Sequence, residues 1–322
     1  MKLHFTPLLL FIFLLVSCSD DDSEPAVISN EAQDFLDEML DIMESNSINK
    51  NEIDWSSFRQ DVLERAGNAQ NIKDTYPAIK RALRLLEDNH SIYRGADGTV
   101  LSEGSIRCNF QNIDEASTPE TIGYVRVTAF SGSSNSSEAI SFAKEIQDQI
   151  SSQDNSNTEG WIIDLRSNSG GNMWPMLAGV GPVLGEGTAG YFIDADEIET
   201  SWGYQNGASV SNGNLLTQLD DFYTLITDNP KVAVLLDNGI ASSGEVMAIS
   251  FIGRENTRSF GTPTCGLSTA NSRFNLSDGS VLNLTAAFLA DRNKNKFGMP
   301  VEPDEVTADE DIIQRAVNWL EN

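Results

Sequence analysis

Two stretches of this sequence place nucleophiles and backbone donors where chemistry could be done. The first runs from Lys231 to Gly253, KVAVLLDNGIASSGEVMAISFIG. Val232 to Leu236 is a continuous apolar run, as a strand buried on both faces requires. Asp237-Asn238-Gly239 is turn chemistry, and from Ser242 onward Val246, Ile249 and Ile252 recur at helical spacing. A buried strand therefore feeds a tight turn, and a helix opens at Ala241-Ser242-Ser243-Gly244-Glu245. A serine there meets unpaired backbone N–H groups and the positive end of the helix. Such a place can generate an alkoxide nucleophile and hold an oxyanion. It also suits a plain N-cap serine, so the rest of the chain has to decide.

The second stretch, Trp161-Ile162-Ile163-Asp164-Leu165-Arg166, reads as another buried strand. It runs into Ser167-Asn168-Ser169-Gly170-Gly171-Asn172 and then a helix through Met176 and Val180. Paired glycines between strand and helix let backbone N–H groups point at an anion or a carbonyl. Neither the Walker spacing nor its lysine is present, so phosphate fits poorly. The chain has two histidines, His4 and His90, and three cysteines, Cys18, Cys108 and Cys265. None has zinc-ligand spacing, so neither metal nor other cofactor is expected. His90, in Leu86-Glu87-Asp88-Asn89-His90-Ser91, leaves a helix end and enters a short extended piece. It is the candidate general base.

The elements that must position these groups follow from periodicity. Asn30 to Ser45, Trp55 to Ala66 and a segment opening at Thr75-Tyr76-Pro77 read as helices. Ile122 to Val127 is strand-like and Ala139 to Ile150 helical. Residues 187–214, with Tyr191, Phe192, Trp202 and Tyr204, read as strands forming one wall of a cleft. Arg258 to Gly261 is strand-like, and Ser272 to Leu276 with Ser280 to Ala286 form a hairpin about Asp278-Gly279. Glu302-Pro303-Asp304 is a turn, and Thr307 with Glu310 matches a capping box opening the last helix. Strands alternating with helices give an α/β core behind a helical entry region.

The 322 residues suffice for one large domain or two small ones, and 40% hydrophobic content is ordinary for a soluble globular protein. A formal charge of −27 excludes nucleic acid and electrostatic docking on anionic lipid. Lys2 and His4 precede an apolar run from Leu8 to Val16, too short to span a bilayer and shaped as a secretory signal. Leu15-Val16-Ser17-Cys18 resembles the lipobox of bacterial lipoproteins, which implies lipidation at Cys18 and a membrane partner through that lipid. Ser19 to Glu24 is an acidic tether. The expected division is a signal peptide at 1–17, a lipidated tether at 18–29, a helical region at 30–98 and an α/β core at 99–322. The expected location is the cell envelope, as an outer-membrane lipoprotein. His90 would be the one histidine of the mature chain. Cys108 and Cys265 would lie where a disulfide is permitted, and sequence leaves open whether they pair.

Taken together, the DNHS of Asp88 to Ser91, the IIDLRSNSGG of Ile162 to Gly171, the VAVLLDNGIASSGE of Val232 to Glu245 and the GTPTCG of Gly261 to Gly266 resemble the tail-specific, or C-terminal processing, serine protease family. That resemblance implies a crotonase-like (Clp-protease-like) α/β spiral and a peptide or protein substrate. It places the nucleophile at Ser242 and the oxyanion hole at the N–H of Ser243 with Gly170 or Gly171. The family's lysine base would fall at Leu267, so a Ser–Lys dyad is unsupported. The tricorn-core and interphotoreceptor-retinoid-binding-protein-like branch instead uses a histidine, here His90, and a late glutamate, for which Glu302 stands nearest. No segment between His90 and Ile122 is long enough for the PDZ domain common in the lysine branch. The expected protein is a serine peptidase whose activity rises with pH through a histidine pKa of about 6.5. Lys294 and Lys296 are the fallback bases. A ligand-binding lipoprotein on the same fold, or an esterase with the same nucleophile, are the alternatives. Oligomeric state is not legible.

Overall fold

The computed structural model describes residues 27–322. The stretch read as a signal peptide, Cys18 and the start of the stretch read as an acidic tether at 18–29 lie outside the described residues.

Three helices open the described chain: α1 (Asn30–Asn46), α2 (Trp55–Ala66) and α3 (Tyr76–Leu85). α1 buries Ala32, Phe35, Leu36, Met39, Leu40 and Met43, a stripe three and four residues apart. Ser29 Oγ caps its start by accepting from the Ala32 N–H, and Asp54 caps α2 through the N–H groups of Ser56 and Ser57. These helices pack on an antiparallel sheet. Its strands are β1 (Ile92–Arg94) and β2 (Val100–Ser102), then β5 (Gly187–Asp194), β6 (Glu199–Gln205), β7 (Ala208–Ser211) and β8 (Asn214–Gln218), and the hairpin β11 (Thr269–Asn275) with β12 (Val281–Asp291). The intervening elements are β3 (Ile122–Arg126), α4 (Ser137–Gln153), β4 (Gly160–Asp164), α5 (Met173–Leu184), β9 (Lys231–Leu236), α6 (Ser243–Phe251) and β10 (Thr257–Gly261). β13 (Glu305–Val306) and α7 (Ile312–Leu320) close the chain.

The second sheet is parallel throughout, in the order β13-β10-β9-β4-β3. Its side chains alternate cleanly. Trp161, Ile163, Val232, Val234 and Leu236 enter the core shared with α5 and α6. Ile162, Ala233, Leu235 and Phe260 meet Ile312, Ala316, Val317 and Leu320 of α7 on the other face. A parallel sheet covered on both faces reads in sequence as unbroken apolar runs, which is why β4 and β9 were legible. The expected α/β core and small N-terminal helical region are both present.

β12 joins the two regions. Its first residues pair with β1, from Val281↔Arg94 to Asn283↔Ile92, and its last with β5, from Ala287↔Asp194 to Asp291↔Gly190. Leu282 and Leu284 lie in the core of the N-terminal helices, whereas Leu289 lies in that of the parallel sheet. The helical region therefore does not close on itself at residue 98.

Two features differ from the sequence reading. The capping box expected at Thr307 and Glu310 does not form. The Thr307 N–H bonds to Gly261 O, its hydroxyl bonds to Glu305 O, and the helix begins only at Ile312. The hairpin strands are also longer than expected, with a bulge between Ala270 and Asn271. The open question of the cysteines is settled: Cys108 and Cys265 form a disulfide with Cα atoms 5.1 Å apart. It pins residues 103–118, which hold no regular structure, across the ends of β4 and β9. The Asn109 N–H donates to Asn238 Oδ1 at 3.1 Å and the Gln111 N–H to Ser167 Oγ at 2.8 Å.

Because Leu284 is fully buried among the N-terminal helices while its strand continues into the second core, Leu284→Ala should cost about 2–5 kcal/mol. Urea unfolding should show one shifted transition; two separated transitions would mean the regions are independent.

Candidate active site

β4 and β9 are neighbours, in parallel register from Gly160↔Lys231 to Asp164↔Leu235. Both strand–turn–helix junctions therefore emerge side by side at the same sheet edge, the usual place for a site in such a sheet. Hydrogen bonds fasten one junction to the other. The buried Asp237 carboxylate accepts from the Ser167 N–H at 2.8 Å and the Gly239 N–H at 3.0 Å. Burial raises its pKa, against the pull of those donors. The Ala241 N–H donates to Asn168 O at 3.0 Å. Beneath the glycine turn, Asp164 and Arg166 form a buried pair at 2.6 Å, and Tyr124 OH donates to the same carboxylate at 2.7 Å.

Ser242 stands at the turn into α6 with φ 55° and ψ −122°. A non-glycine residue in that region is strained. The strain is held by Glu245, one helical turn on, whose Oε2 accepts from the Ser242 N–H at 3.1 Å. Its other oxygen accepts from Thr264 Oγ1 at 2.6 Å and from the Gly266 N–H at 2.9 Å. Glu245 is fully buried, and burial pushes its pKa up to about 7 despite these donors. The Gly261–Gly266 turn, itself tied by the disulfide at Cys265, thus fixes the backbone of Ser242 through one carboxyl group.

Gly170 packs directly on this serine. A Cβ at Gly170 would lie 2.6 Å from Ala241 O, 2.9 Å from Ser243 N and 3.0 Å from Ser242 Cβ. Only glycine fits, and its φ of 93° needs glycine as well. The Gly170 N–H is already used, donating to Asn168 Oδ1 at 3.0 Å. Among the described residues the N–H groups of Gly171 and Ser243 donate to no protein acceptor. Ser243 Oγ donates to Gly171 O at 2.7 Å and so holds the two junctions in contact. Two uncommitted donors beside a half-buried hydroxyl that lines the cleft are what an oxyanion needs.

These residues open onto a cavity of about 790 Å³. Met173, Trp174, Phe192, Ile198 and Val246 make its apolar side, and Thr269 to Arg273 of β11 its other side. His90 lies behind Thr269. It is 7% exposed, and its Nδ1 is 2.9 Å from Thr269 Oγ1. Asp88 fixes its backbone by accepting from the His90 N–H at 2.9 Å, and Asn271 Nδ2 donates to His90 O at 2.9 Å. Burial pulls the imidazole pKa down to about 4, with the Asp88 charge opposing it. No hydrogen bond joins His90 to Ser242. Glu302 is exposed and makes no hydrogen bond to His90. Lys294 and Lys296 are committed to Glu199 and Glu197 at 2.7 Å and 2.6 Å. Leu267 is partly buried. Sequence reading named Ser242, Ser243, Gly170, Gly171 and His90. It gave no role to Glu245, although the Ala241-to-Glu245 helix start contained it, and it passed over Thr269, whose contact with His90 spans 179 positions.

A family model described as peptidase family S41 matches residues 121–307. The nisin-resistance protein of Lactococcus lactis subsp. lactis is 30% identical over 275 residues, covering 84% of this chain and 80% of that protein. The carboxy-terminal processing protease CtpA of Bacillus subtilis (strain 168) is 27% identical over 211 residues, covering 61% of this chain and 40% of that longer protein. Among solved structures, a lipoprotein from Streptococcus agalactiae superposes with a TM-score of 0.71 at 22% identity, over 92% of this chain and 98% of that one. A photosystem II D1 C-terminal processing protease gives 0.59 at 17% identity, over 90% and 97%. The two structural likenesses are of fold.

The strained φ of Ser242 carries its own test. Replacing it with glycine removes a cost of about 1–3 kcal/mol and adds about 0.5–1 kcal/mol of backbone entropy. Ser242→Gly should therefore raise the unfolding midpoint where Ser242→Ala does not; equal midpoints would mean that the backbone there is unstrained.

Proposed function

This chain belongs to peptidase family S41 and is a serine peptidase, and from that premise we propose that Ser242 is its nucleophile and His90 its general base. The observation that carries the reading is the packing of Gly170 onto Ser242 and Ser243, with two backbone donors left uncommitted beside the hydroxyl. Ser242 Oγ attacks the carbonyl carbon of an extended peptide lying in the cleft. His90 takes the hydroxyl proton as the Oγ–C bond forms. The N–H groups of Ser243 and Gly171 receive the oxyanion. Gly170 serves by letting the junctions approach, since its own N–H is spent on Asn168. As the tetrahedral intermediate collapses the C–N bond breaks, and the imidazolium returns its proton to the leaving amine. Water then repeats the sequence on the acyl-enzyme.

The absence of a lysine at Leu267 and the engagement of Lys294 and Lys296 elsewhere support the histidine branch of the family. The apolar wall about Trp174, Phe192 and Val246 supports peptide substrates with apolar side chains beside the scissile bond. Nisin belongs in the first substrate panel because of the relative named for resistance to it. The lipobox-like Leu15 to Cys18 and the acidic residues after it support anchoring by a lipid at Cys18, at the cell envelope and in the outer membrane.

Labelling of the full chain by a fluorophosphonate probe should require Ser242. Ser242→Ala should abolish it, and His90→Ala should slow it by about 10²–10⁴-fold. In turnover the two losses should not add. Full activity in His90→Ala would remove the histidine from the mechanism.

The pH dependence differs from the sequence expectation. A buried histidine with its pKa near 4 is already neutral at pH 6.5, so the acid limb of kcat/KM should lie closer to pH 4 than to 6.5. The same depressed pKa means that folding stability from this group is complete above about pH 6.5 and is lost as pH falls towards 4. Glu245, with its pKa raised to about 7, acts oppositely: its contribution is complete below about 4.3 and is lost as pH rises through 7. An acid limb centred at 6.5 would show the imidazole to be solvated in the working enzyme.

A further inference from the structure

We propose that Thr269 is the positioning residue of the catalytic base, its hydroxyl accepting a hydrogen bond from His90 Nδ1–H and thereby leaving Nε2 as the lone pair that receives the Ser242 proton. This rests on the assignment of Ser242 and His90 above and adds the group that makes the histidine a competent base.

The argument starts from what the ring can reach. His90 is 7% exposed, and the protein atom bonded to its Nδ1 is Thr269 Oγ1, at 2.9 Å. A hydroxyl can donate or accept, so distance alone allows both tautomers. Their surroundings separate them. A proton on Nδ1 lies inside the buried contact and needs this oxygen as its acceptor, since an unpaired buried donor is costly. The threonine is only half buried and lines the cleft. Its own hydroxyl proton can therefore point to water or substrate. In the reverse arrangement the threonine donates to Nδ1 and Nε2 carries the proton, which leaves no lone pair for Ser242.

The chain fixes both partners of this bond. β11 is an edge strand, paired to β12 alone. Its bulge between Ala270 and Asn271 breaks the regular alternation of the strand. Thr269 then meets the imidazole while Asn271 Nδ2 holds the carbonyl of the same histidine at 2.9 Å. Asn271 is steadied in turn by Thr285 Oγ1 at 3.1 Å, from β12. From the other side Asp88 holds the backbone N–H groups of His90 and Ser91, at 2.9 Å and 2.8 Å.

Around the ring, the charge acting on the imidazole is that of Asp88, on its own segment. The groups that β11 and β12 present there, Thr269, Asn271 and Thr285, are neutral. The place that a carboxylate takes in a serine–histidine–aspartate triad is thus taken by a hydroxyl. A hydroxyl can fix the tautomer and the ring plane. It adds no negative charge to stabilise the imidazolium, in keeping with the low basicity of this histidine. The proton on Nδ1 stays there throughout; only the proton on Nε2 moves, from Ser242 to the leaving amine.

The test reads the tautomer directly. With ring-¹⁵N histidine in the full chain there are two histidines to observe, and the His90→Ala spectrum identifies the signals of His4. The wild type at neutral pH should show His90 protonated on Nδ1 and bare at Nε2. Thr269→Val, nearly isosteric but without the hydroxyl, should shift the ring towards the other tautomer. It should also slow fluorophosphonate labelling and kcat by about 10–100-fold with KM unchanged, while Thr269→Ser restores both tautomer and rate. A wild-type ring protonated on Nε2, or a folded valine variant with unchanged tautomer and rate, overturns the proposal. Should the valine variant not fold, the wild-type tautomer decides. If Ser242 never labels in a folded wild type, its assignment as the nucleophile fails while the tautomer still reports on Thr269.

Discussion

One buried carboxylate holds the two halves of this site in register. Asp237 follows directly on β9, yet it accepts from Ser167 in the turn after β4 as well as from Gly239 in its own turn. Removing a carboxylate from water is costly unless donors replace the water, and here the donors come from both junctions. The two turns are thus satisfied only together. Every later element depends on that juxtaposition. Gly170 can lie against Ser242 only if the β4 turn reaches over the β9 turn. The strap at residues 103–118 then closes over the pair through Asn238 and Ser167.

A second buried carboxyl group, Glu245, answers a different need. The serine has to stand in a backbone conformation that L-residues avoid, and something must hold it there. Glu245 does so by gripping the Ser242 N–H with one oxygen and the Gly261–Gly266 turn with the other. The stored strain and the buried acid belong to one device. The disulfide at Cys265 lies one residue from both Thr264 and Gly266, so the covalent link fastens the turn on which that device rests.

What sequence could reveal divides along a physical line. Periodicity exposed α1, α2, β4 and β9, because each buries a face or a whole run and must carry apolar residues in the matching pattern. The glycine pair and the serine at the helix start were legible for the same local reason: backbone geometry restricts which residues can stand there. The partner of His90 was not legible. Thr269 sits in a polar strand whose composition says nothing of the ring it meets, and the contact is made by sheet pairing across the molecule. Sequence offered Glu302 as an orienting group by position; the structure leaves that residue exposed in an irregular segment and puts a threonine against the ring. The capping box at Thr307 misled because Thr307 extends the pairing of β13 with β10, while Glu310 falls in the turn that precedes the helix.

The long strand β12 also decides when a working site can exist. Translation delivers His90 early, the two junctions midway, and β11 with β12 last. Until Val281 to Asp291 has emerged, β1 has no long strand to pair with and β11 has no partner to hold its Thr269 hydroxyl against the imidazole. Contacts of such sequence separation form late in folding. A chain still being made therefore lacks the assembled site. Ser242, His90 and the two uncommitted backbone donors are brought to one place only when β12 has taken its position between β1 and β5.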